Sequence, residues 1–597
     1  MKLSDYVVEF VADQGVKHVF MLPGGGAMHL NDSLGKCERL AYVCNLHEQA
    51  SAIAAEAYAR VTNDLACAMV TTGPGGTNAI TGVAGAWLDS TPVLFLSGQV
   101  KRADLKGGTA LRMLGVQEID IVSLVAPITK YAVTVTDPVT IRYHLERAVW
   151  LARNGRRGPV WIDIPLDVQA AQVDPAMLDG FTPPTEREGE CTDVAKAAAR
   201  VLAMLAGAER PVILAGNGVR SAGAVEELRA FAERHGIPVL TTWLGHDLIA
   251  DDHQLFAGRP GGIAPRYANF ALQNSDLLLI IGARMDLALM AYAPERLARG
   301  ARKVMVDVDP AEIAKLRDGI EMPVVADAGD FLRAALSASG ADPAGDYAAW
   351  RERCRSWKAR YPLVQPEHRS CADGVSMYHF SDVLSDELAS DDVITPGSSG
   401  FACEIFLLVA RVKAGQRLFH NRGTGAMGFG LPASIGACIA SGRRTISVDG
   451  DGGFQMNIQE LATVATHGLP IKFFVVNNGG YASIRTSQAN YFGRLVAADA
   501  TSGVRLPDVT AVAAAYGLPT ARINSPDGLR ARIREVLDRP GPVVCEVRVP
   551  DDEPRGPRVA SAQRPDGSMV SKPLEDLWPF LDREEFLANM IVAPVAE

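Results

Sequence analysis

The sequence predicts an α/β protein of three doubly wound parallel sheets with a short C-terminal tail. Three observations predict it. Aliphatic runs that end in glycine or polar turns recur along the chain, among them "LACAMVTTGPGG", "SDLLLIIGARMD" and "IKFFVVNNGG". Stretches with helical apolar spacing lie between them, which is the βαβ rhythm of a parallel sheet covered on both faces. A chain of 597 residues also exceeds what one hydrophobic core organises, so length alone points to roughly three or four domains of about 150 residues.

Residues 1–180 form the first domain, with "TPVLFLSGQ" and "GPVWIDIPLDV" as further buried strands and "EQASAIAAEAYARVT" as a helix packed on the sheet. The proline-bearing "FTPPTEREGECTD" marks a linker. The rhythm resumes over residues 190–340 with "ERPVILAGNGV", "GIPVLTTWLG" and "ARKVMVDVDPAEI". A helical stretch, "DYAAWRERCRSWKARYP", bridges to a third domain at 370–550, which holds "DVITPGSSG", "RTISVDGDGG" and "GPVVCEVRV". The tail covers 551–597. Its first part, "DDEPRGPRVASAQRPDGSMVSKP", is expected to be irregular, and "LEDLWPFLDREEFLANM" to be a helix docked on the body.

Composition narrows the function classes. Net charge is −10 without a long basic block, which argues against a nucleic-acid surface. The nine cysteines are scattered without a CxxC pair, as in a reduced cytoplasmic protein. The charged N-terminus lacks the apolar core of a signal peptide, and no stretch reaches 18 uninterrupted apolar residues, which argues against a membrane span.

The chemistry centres on "VDGDGGFQMN". "TISV" reads as a strand, Gly450-Asp451-Gly452 as the turn at its carboxyl end, and "FQMNIQELATVATHG" as a helix that stops at Gly468 with Pro470 behind it. "IKFFVV" is then the next parallel strand, ending at Asn477 and Asn478. One crossover puts Asp451 and Asn478 at the carboxyl ends of neighbouring strands, where open α/β sheets bind ligands. A carboxylate, an amide oxygen and a nearby backbone carbonyl suit Mg²⁺ that takes its remaining ligands from phosphates. The glycines let a diphosphate approach the backbone. Taken alone the GDG segment is also compatible with a structural turn. The competing signal "GTGAMG" satisfies the dinucleotide pattern but lacks a strong preceding strand.

The pair GDG…NN matches the thiamine diphosphate motif, and nearly the whole chain resembles acetolactate synthase and its relatives. "LPGGG", "HEQASAIAAEAYAR", "QEIDIVSLVAPITKYA", "RPVILAGNGV", "GAMGFGLPASIGA" and "LPDVTAVAAAYG" carry the resemblance. It implies a pyrimidine-binding, a central and a diphosphate-binding domain. It implies that Glu48 hydrogen-bonds the aminopyrimidine N1′ and so promotes formation of the thiazolium ylid, which attacks a 2-keto acid. Gln117 and Lys130 match positions near the reaction centre, and Gly24 and Gly25 a loop over the thiazolium. The implied cofactor contacts are Pro23, Thr72, Gly75, Asn78, Gly397, Ser398, Ser399, Gly425, Met427, Gly450, Gly452, Gly453, Tyr481 and Ala482. Met427 is the wedge that bends the cofactor. Asp451, Asn478 and Gly480 are the implied Mg²⁺ ligands. The resemblance also implies FAD without redox duty, contacted by Arg284, Asp307 and Asp327, and a homodimer or homotetramer with active sites between subunits.

Departures from the family pattern concern the second substrate. The arginine that grips an acceptor carboxylate is replaced by Ala288, and the acceptor-pocket tryptophan by Ser487. Leu22 replaces a usual Tyr and Val116 a usual Phe. Arg485 is an alternative carboxylate anchor, and Arg555, Arg558, Arg564 and Lys572 of the tail are positioned to meet a diphosphate. The reading is a carboligase that decarboxylates pyruvate and passes the two-carbon unit to a carbonyl other than a 2-keto acid, such as a nucleotide-linked keto-sugar. An ordinary acetolactate synthase subunit and a silent partner subunit remain the alternatives.

Overall fold

A computed structural model describes residues 1–184, 192–316, 319–340, 342–398, 400–563 and 569–595. Ser399, Arg564 and the middle of the expected linker lie outside the described residues. The α/β expectation holds: the chain folds into three six-stranded sheets flanked by helices. Among the described residues no helix is long and apolar enough to cross a membrane.

The first sheet runs through His18–Met21, Ala41–Cys44, Ala66–Val70, Val93–Gln99, Tyr131–Thr134 and Val160–Pro165. Numbered 1 to 6 in chain order, these strands lie 2-1-3-4-6-5 across the sheet, all parallel. The third sheet repeats that order with Val393–Ile394, Arg417–Leu418, Thr445–Gly450, Ile471–Asn477, Thr520–Ile523 and Val543–Arg548. The central sheet differs. Pro211–Ala215, Val239–Thr241, Phe256–Gly258, Leu277–Ile281, Arg302–Asp307 and Met322–Val325 lie 6-5-4-1-2-3, the order of dinucleotide-binding folds.

The two outer domains share one core. In each, the helix after the second strand is made of small residues, Glu48–Thr62 in the first and Gly430–Ser441 in the third. A Cβ on Gly436 would fall 2.0 Å from the Ala54 carbonyl oxygen, and one on Gly82 2.4 Å from Ala52 Cβ. The helices therefore meet almost backbone to backbone. Ala52, Ala54 and Ala55 join Leu431, Ile435, Phe473 and Val475 in a single buried cluster.

Two expectations need correcting. The helix expected from Phe454 to His467 is broken into Asp451–Gln455, the 3-10 turn Ile458–Glu460 and Leu461–His467. Asn457 sits at the break, where its side-chain amide donates to the Gly428 carbonyl at 2.8 Å. The tail is not irregular: Arg558–Val559 pairs with Leu577–Trp578, and Ser561–Gln563 with Met569–Ser571. Its helix is confined to Arg583–Asn589, capped by Asp582, because Pro579 cannot donate to a helical ladder. Asn589 docks the tail on the central domain by accepting from the Trp357 indole N–H at 2.8 Å.

Candidate active site

The first group of site residues gathers around Glu48. His47 caps its helix, with Nδ1 accepting from the Gln49 N–H at 3.1 Å. Glu48 opens the helix and is buried, 6% exposed. Asn78 donates its side-chain amide to Glu48 Oε2 at 3.0 Å. Gly75 faces the same carboxylate: a Cβ there would lie 3.6 Å from Glu48 Oε1 and 2.7 Å from Thr71 Cγ2. Thr72 donates to Gln99 Oε1 at 2.9 Å and lies 3.4 Å from the Gln117 carbonyl. The Gln117 backbone has φ 65° and packs against Gly73, while its side chain is exposed. Gly24 closes the group, since a Cβ on it would sit 2.5 Å from Thr71. Pro23 and Gly25 are exposed beside it.

Lys130 is held elsewhere. Its Nζ donates to the Asn154 carbonyl at 2.6 Å, its stem lies along Gly158, and burial pushes the ammonium down to about 8. Asn154 lines the cavity of the central domain.

The second group gathers at the ends of Thr445–Gly450 and Ile471–Asn477, which are parallel neighbours. Asp451 begins the short helix Asp451–Gln455 and is 8% exposed. Its Oδ1 accepts from the Gly452 N–H at 2.8 Å and its Oδ2 from the Gly480 N–H at 3.2 Å. Burial nevertheless raises this carboxyl to about 7, outweighing the two backbone N–H bonds and the nearby Arg485 guanidinium that favour its charge. Asn478 is buried, and its Oδ1 has no hydrogen-bond partner among the described residues. A buried amide oxygen left unpaired beside a buried carboxylate is the donor set of a hard divalent cation. Among the described residues there is no cluster of three or more His, Cys, Asp or Glu, so a cation here relies on amide and carbonyl oxygens.

Around Asp451 the glycines leave a cradle. A Cβ on Gly452 would fall 2.3 Å from the Tyr481 ring and 3.6 Å from Met427 Cε. Gly450 and Gly453 are buried beside it. Gly397 fits only as glycine, because a Cβ would lie 2.1 Å from the Asp449 carboxyl carbon. Ser398 donates to the Asn421 carbonyl at 3.5 Å. The Asn421 side chain in turn accepts from the N–H of Gly425 at 3.0 Å, which shapes the loop to Met427. Ala482 begins the helix Ala482–Phe492 and donates its N–H to the Gly480 carbonyl at 3.1 Å.

Arg485 is not a free anchor. Its Nη2 donates to the carbonyls of Asn478 at 3.0 Å and Asp551 at 2.5 Å, so it braces the loop that follows Asn478. Ser487 is exposed, its hydroxyl turned onto the Ile484 carbonyl.

The central sheet carries a cavity of about 620 Å³ at the point where its strand order reverses, between Pro211–Ala215 and Leu277–Ile281. Gly216 and Gly218 lie against Gly282 so closely that a Cβ on Gly216 would be 2.3 Å from the Gly282 oxygen. Arg284, Asp307 and Asp327 all line this cavity. Burial raises the Asp307 carboxyl to about 6, Asp327 caps the helix Ala328–Ala338, and Arg284 reaches Asp89 at 3.5 Å. Ala288 lines the same cavity, and so do Arg422, Arg555 and Arg558. Arg422 lies over Trp243 and Arg555 is ion-paired to Glu404. The sequence reading missed the supports of both groups: His47, Gln99 and Asn421 act through tertiary hydrogen bonds that no local pattern announces.

Comparison with known proteins agrees with this division. Residues 1–124 match the thiamine pyrophosphate enzyme N-terminal TPP binding domain, 198–335 its central domain and 400–547 its C-terminal TPP binding domain. A probable acetolactate synthase large subunit of Methanocaldococcus jannaschii is 34% identical, over 95% of this chain and 95% of its own. The acetolactate synthase large subunit of Corynebacterium glutamicum is 33% identical, over 98% of this chain and 92% of its own. Acetolactate synthase 2 of Nicotiana tabacum is also 33% identical, over 94% and 84%. The chain belongs to the thiamine pyrophosphate enzyme family, as an acetolactate synthase-like enzyme that forms carbon–carbon bonds.

Proposed function

We propose that the chain decarboxylates a 2-keto acid, pyruvate in the first instance, and joins the retained two-carbon unit to a second 2-keto acid, giving 2-acetolactate. The relatives that align from end to end carry that name. The observation that carries the reading here is the cavity in which Arg422, Arg555 and Arg558 accompany Ala288. Loss of the arginine at position 288 was the reason to expect an acceptor without a carboxylate, since burying an unmatched carboxylate is costly. Arg555 is paired with Glu404, Arg422 with Asp286 at 3.6 Å, and Arg558 lies over Trp578, so a carboxylate acceptor would take its cationic partner by joining or displacing those acids.

When bound, thiamine diphosphate supplies an electron sink for the charge released by decarboxylation. The chain's own groups do the rest. Glu48, oriented by Asn78, holds a proton with the aminopyrimidine nitrogen. Asp451, Asn478 and the Gly480 carbonyl would hold Mg²⁺, and Gly450, Gly452 and Gly453 would admit the diphosphate. Met427 and Tyr481 wall the cradle, and Gln117 borders the reaction centre, whereas Lys130 is held away from the Glu48 group on the Asn154 carbonyl. FAD would lie at the strand-order reversal of that same cavity, beside Arg284, Asp307 and Asp327, and would show as a flavin spectrum in the purified protein. A second copy covers the apolar segment that leads to Gln117, where Leu111, Met113, Leu114 and Val116 are all exposed. Light scattering would show a dimer or tetramer.

A second reading keeps the keto-sugar acceptor. It is favoured by the open, polar position of Ser487 and by the same arginines, which suit a diphosphate as well as a carboxylate. Incubation with thiamine diphosphate, Mg²⁺ and labelled pyruvate alone, read by NMR, separates the two. Rapid acetolactate formation supports the first reading. Slow acetaldehyde or acetoin supports the second, and no turnover supports a silent partner subunit.

A further inference from the structure

Glu460 is fully buried on the turn Ile458–Glu460, in the segment that leaves the metal-group helix. Both of its carboxylate oxygens are used, and they reach across to the first domain. Oε1 accepts from the Leu46 N–H at 2.9 Å, and Oε2 from the Asn45 side-chain amide at 2.9 Å and the Thr463 hydroxyl at 2.7 Å. Asn45 and Leu46 are the residues that lead into the cap His47 and into Glu48. Asn45 is itself buried, and its Oδ1 has no partner among the described residues, so only the bond to Glu460 fixes its amide.

The cost of this arrangement is informative. Glu460 makes no ion pair among the described residues, and burying a carboxylate without a cation is unfavourable relative to an apolar side chain. Packing alone would be served more cheaply by an apolar side chain. What the carboxylate provides is two acceptors held in a fixed plane, one for a backbone N–H and one for a side-chain amide, with the Glu48 loop as the recipient of both.

We propose that Glu460 is a positioning residue that ties the segment carrying Asp451 to the loop carrying Glu48. Ordering of the Asp451 helix around Mg²⁺ and a diphosphate then tightens the backbone ahead of Glu48. The inference rests on the roles proposed above for Asp451 and Glu48.

The test uses the full chain with Glu460→Ala and Glu460→Gln. Glutamine can still accept from the Leu46 N–H and, once Asn45 rotates its amide, donate to the unpaired Oδ1. Three quantities are measured: amide hydrogen exchange over residues 44–49 with and without Mg²⁺–thiamine diphosphate, thiamine diphosphate affinity, and deuterium exchange at C2 of the bound cofactor. Glu460→Ala should raise amide exchange over 44–49 and remove the protection that the cofactor confers. It should slow C2 exchange by about tenfold to hundredfold, as a small misplacement of a catalytic group does, with affinity little changed. Glu460→Gln should restore most of both. Unaltered amide exchange in Glu460→Ala, or affinity falling in parallel with C2 exchange, overturns the proposal. Glu48→Gln is the control. If C2 exchange survives that change, the role of Glu48 is what fails, and the amide exchange still judges the tie.

Discussion

The first and third domains are the same topology used twice, and they differ in what they leave unsatisfied. At the end of strand 4 the first domain has Gln99, whose amide oxygen accepts from Thr72 and whose N–H groups meet the Ile119 carbonyl and Asp163. At the equivalent place the third domain has Asn478, whose side-chain oxygen has no partner among the described residues. At the end of strand 3 the first domain has the threonine turn and the third has Asp451. At the head of the helix after strand 2 the roles reverse: the first domain has Glu48 and the third Gly430. The same topology thus carries a buried carboxylate at the head of the helix after strand 2 in one half and an unpaired amide oxygen after strand 4 in the other, the groups proposed for proton handling and cation binding. Function sits in the strand-end residues, not in the fold.

The largest expected effect separates the halves cleanly. Glu48→Gln keeps the shape and the bond from Asn78 but removes the charge, and turnover should fall by about 10²- to 10⁴-fold, the range for a positioned acid–base group. Calorimetric Mg²⁺–thiamine diphosphate binding should persist. Loss of binding in step with turnover would erase the division of labour between the halves.

Next comes the seam that makes the halves one body. Ile435 is fully buried among residues of both domains, so Ile435→Ala should cost about 2–5 kcal/mol. Calorimetry should show one transition for the outer pair shifted down and the central domain little moved. Separate transitions for the first and third domains would mean that the shared core is not cooperative.

Asp451→Asn tests the cation half. The amide retains one acceptor for Gly452 or Gly480 but loses the charge, and Mg²⁺-dependent cofactor affinity should fall by about tenfold to hundredfold. Amide exchange around residues 44–49 in the apoprotein should stay as in the parent. The spacing of Asp451 and Asn478 was legible because a strand, a crossover helix and a strand have a nearly fixed length. The break at Asn457 was not, because it depends on a carbonyl at Gly428 that no local pattern reveals. Nor was the fate of Arg485: a guanidinium near a site reads as a ligand anchor until its carbonyl partners are seen. The tail ladders were hidden for a related reason, since strands of two or three residues have no period to detect.

The smallest expected effect probes how the first domain satisfies the end of strand 4 internally. Asp163 is buried on strand 6 and accepts from Ser97 at 2.5 Å, Thr134 at 3.0 Å and Gln99 at 3.2 Å. Burial outweighs those bonds and raises its carboxyl to about 7. The unfolded chain releases this proton at a lower pH than the native protein does. Between about pH 4 and pH 7 the native state therefore holds more protons than the unfolded state, and stability falls as pH rises through that window. Asp163→Asn removes the titration while leaving an acceptor for Ser97 or Thr134. Urea midpoints from pH 4 to pH 8 should show a slope less negative by up to about 1.4 kcal/mol per pH unit in the variant. Parallel curves would mean that Asp163 is ionised throughout, held by Ser97, Thr134 and Gln99. The first domain would then hold a buried charge by hydrogen bonds alone, and the contrast at the end of strand 4 would rest on the unpaired Asn478 oxygen.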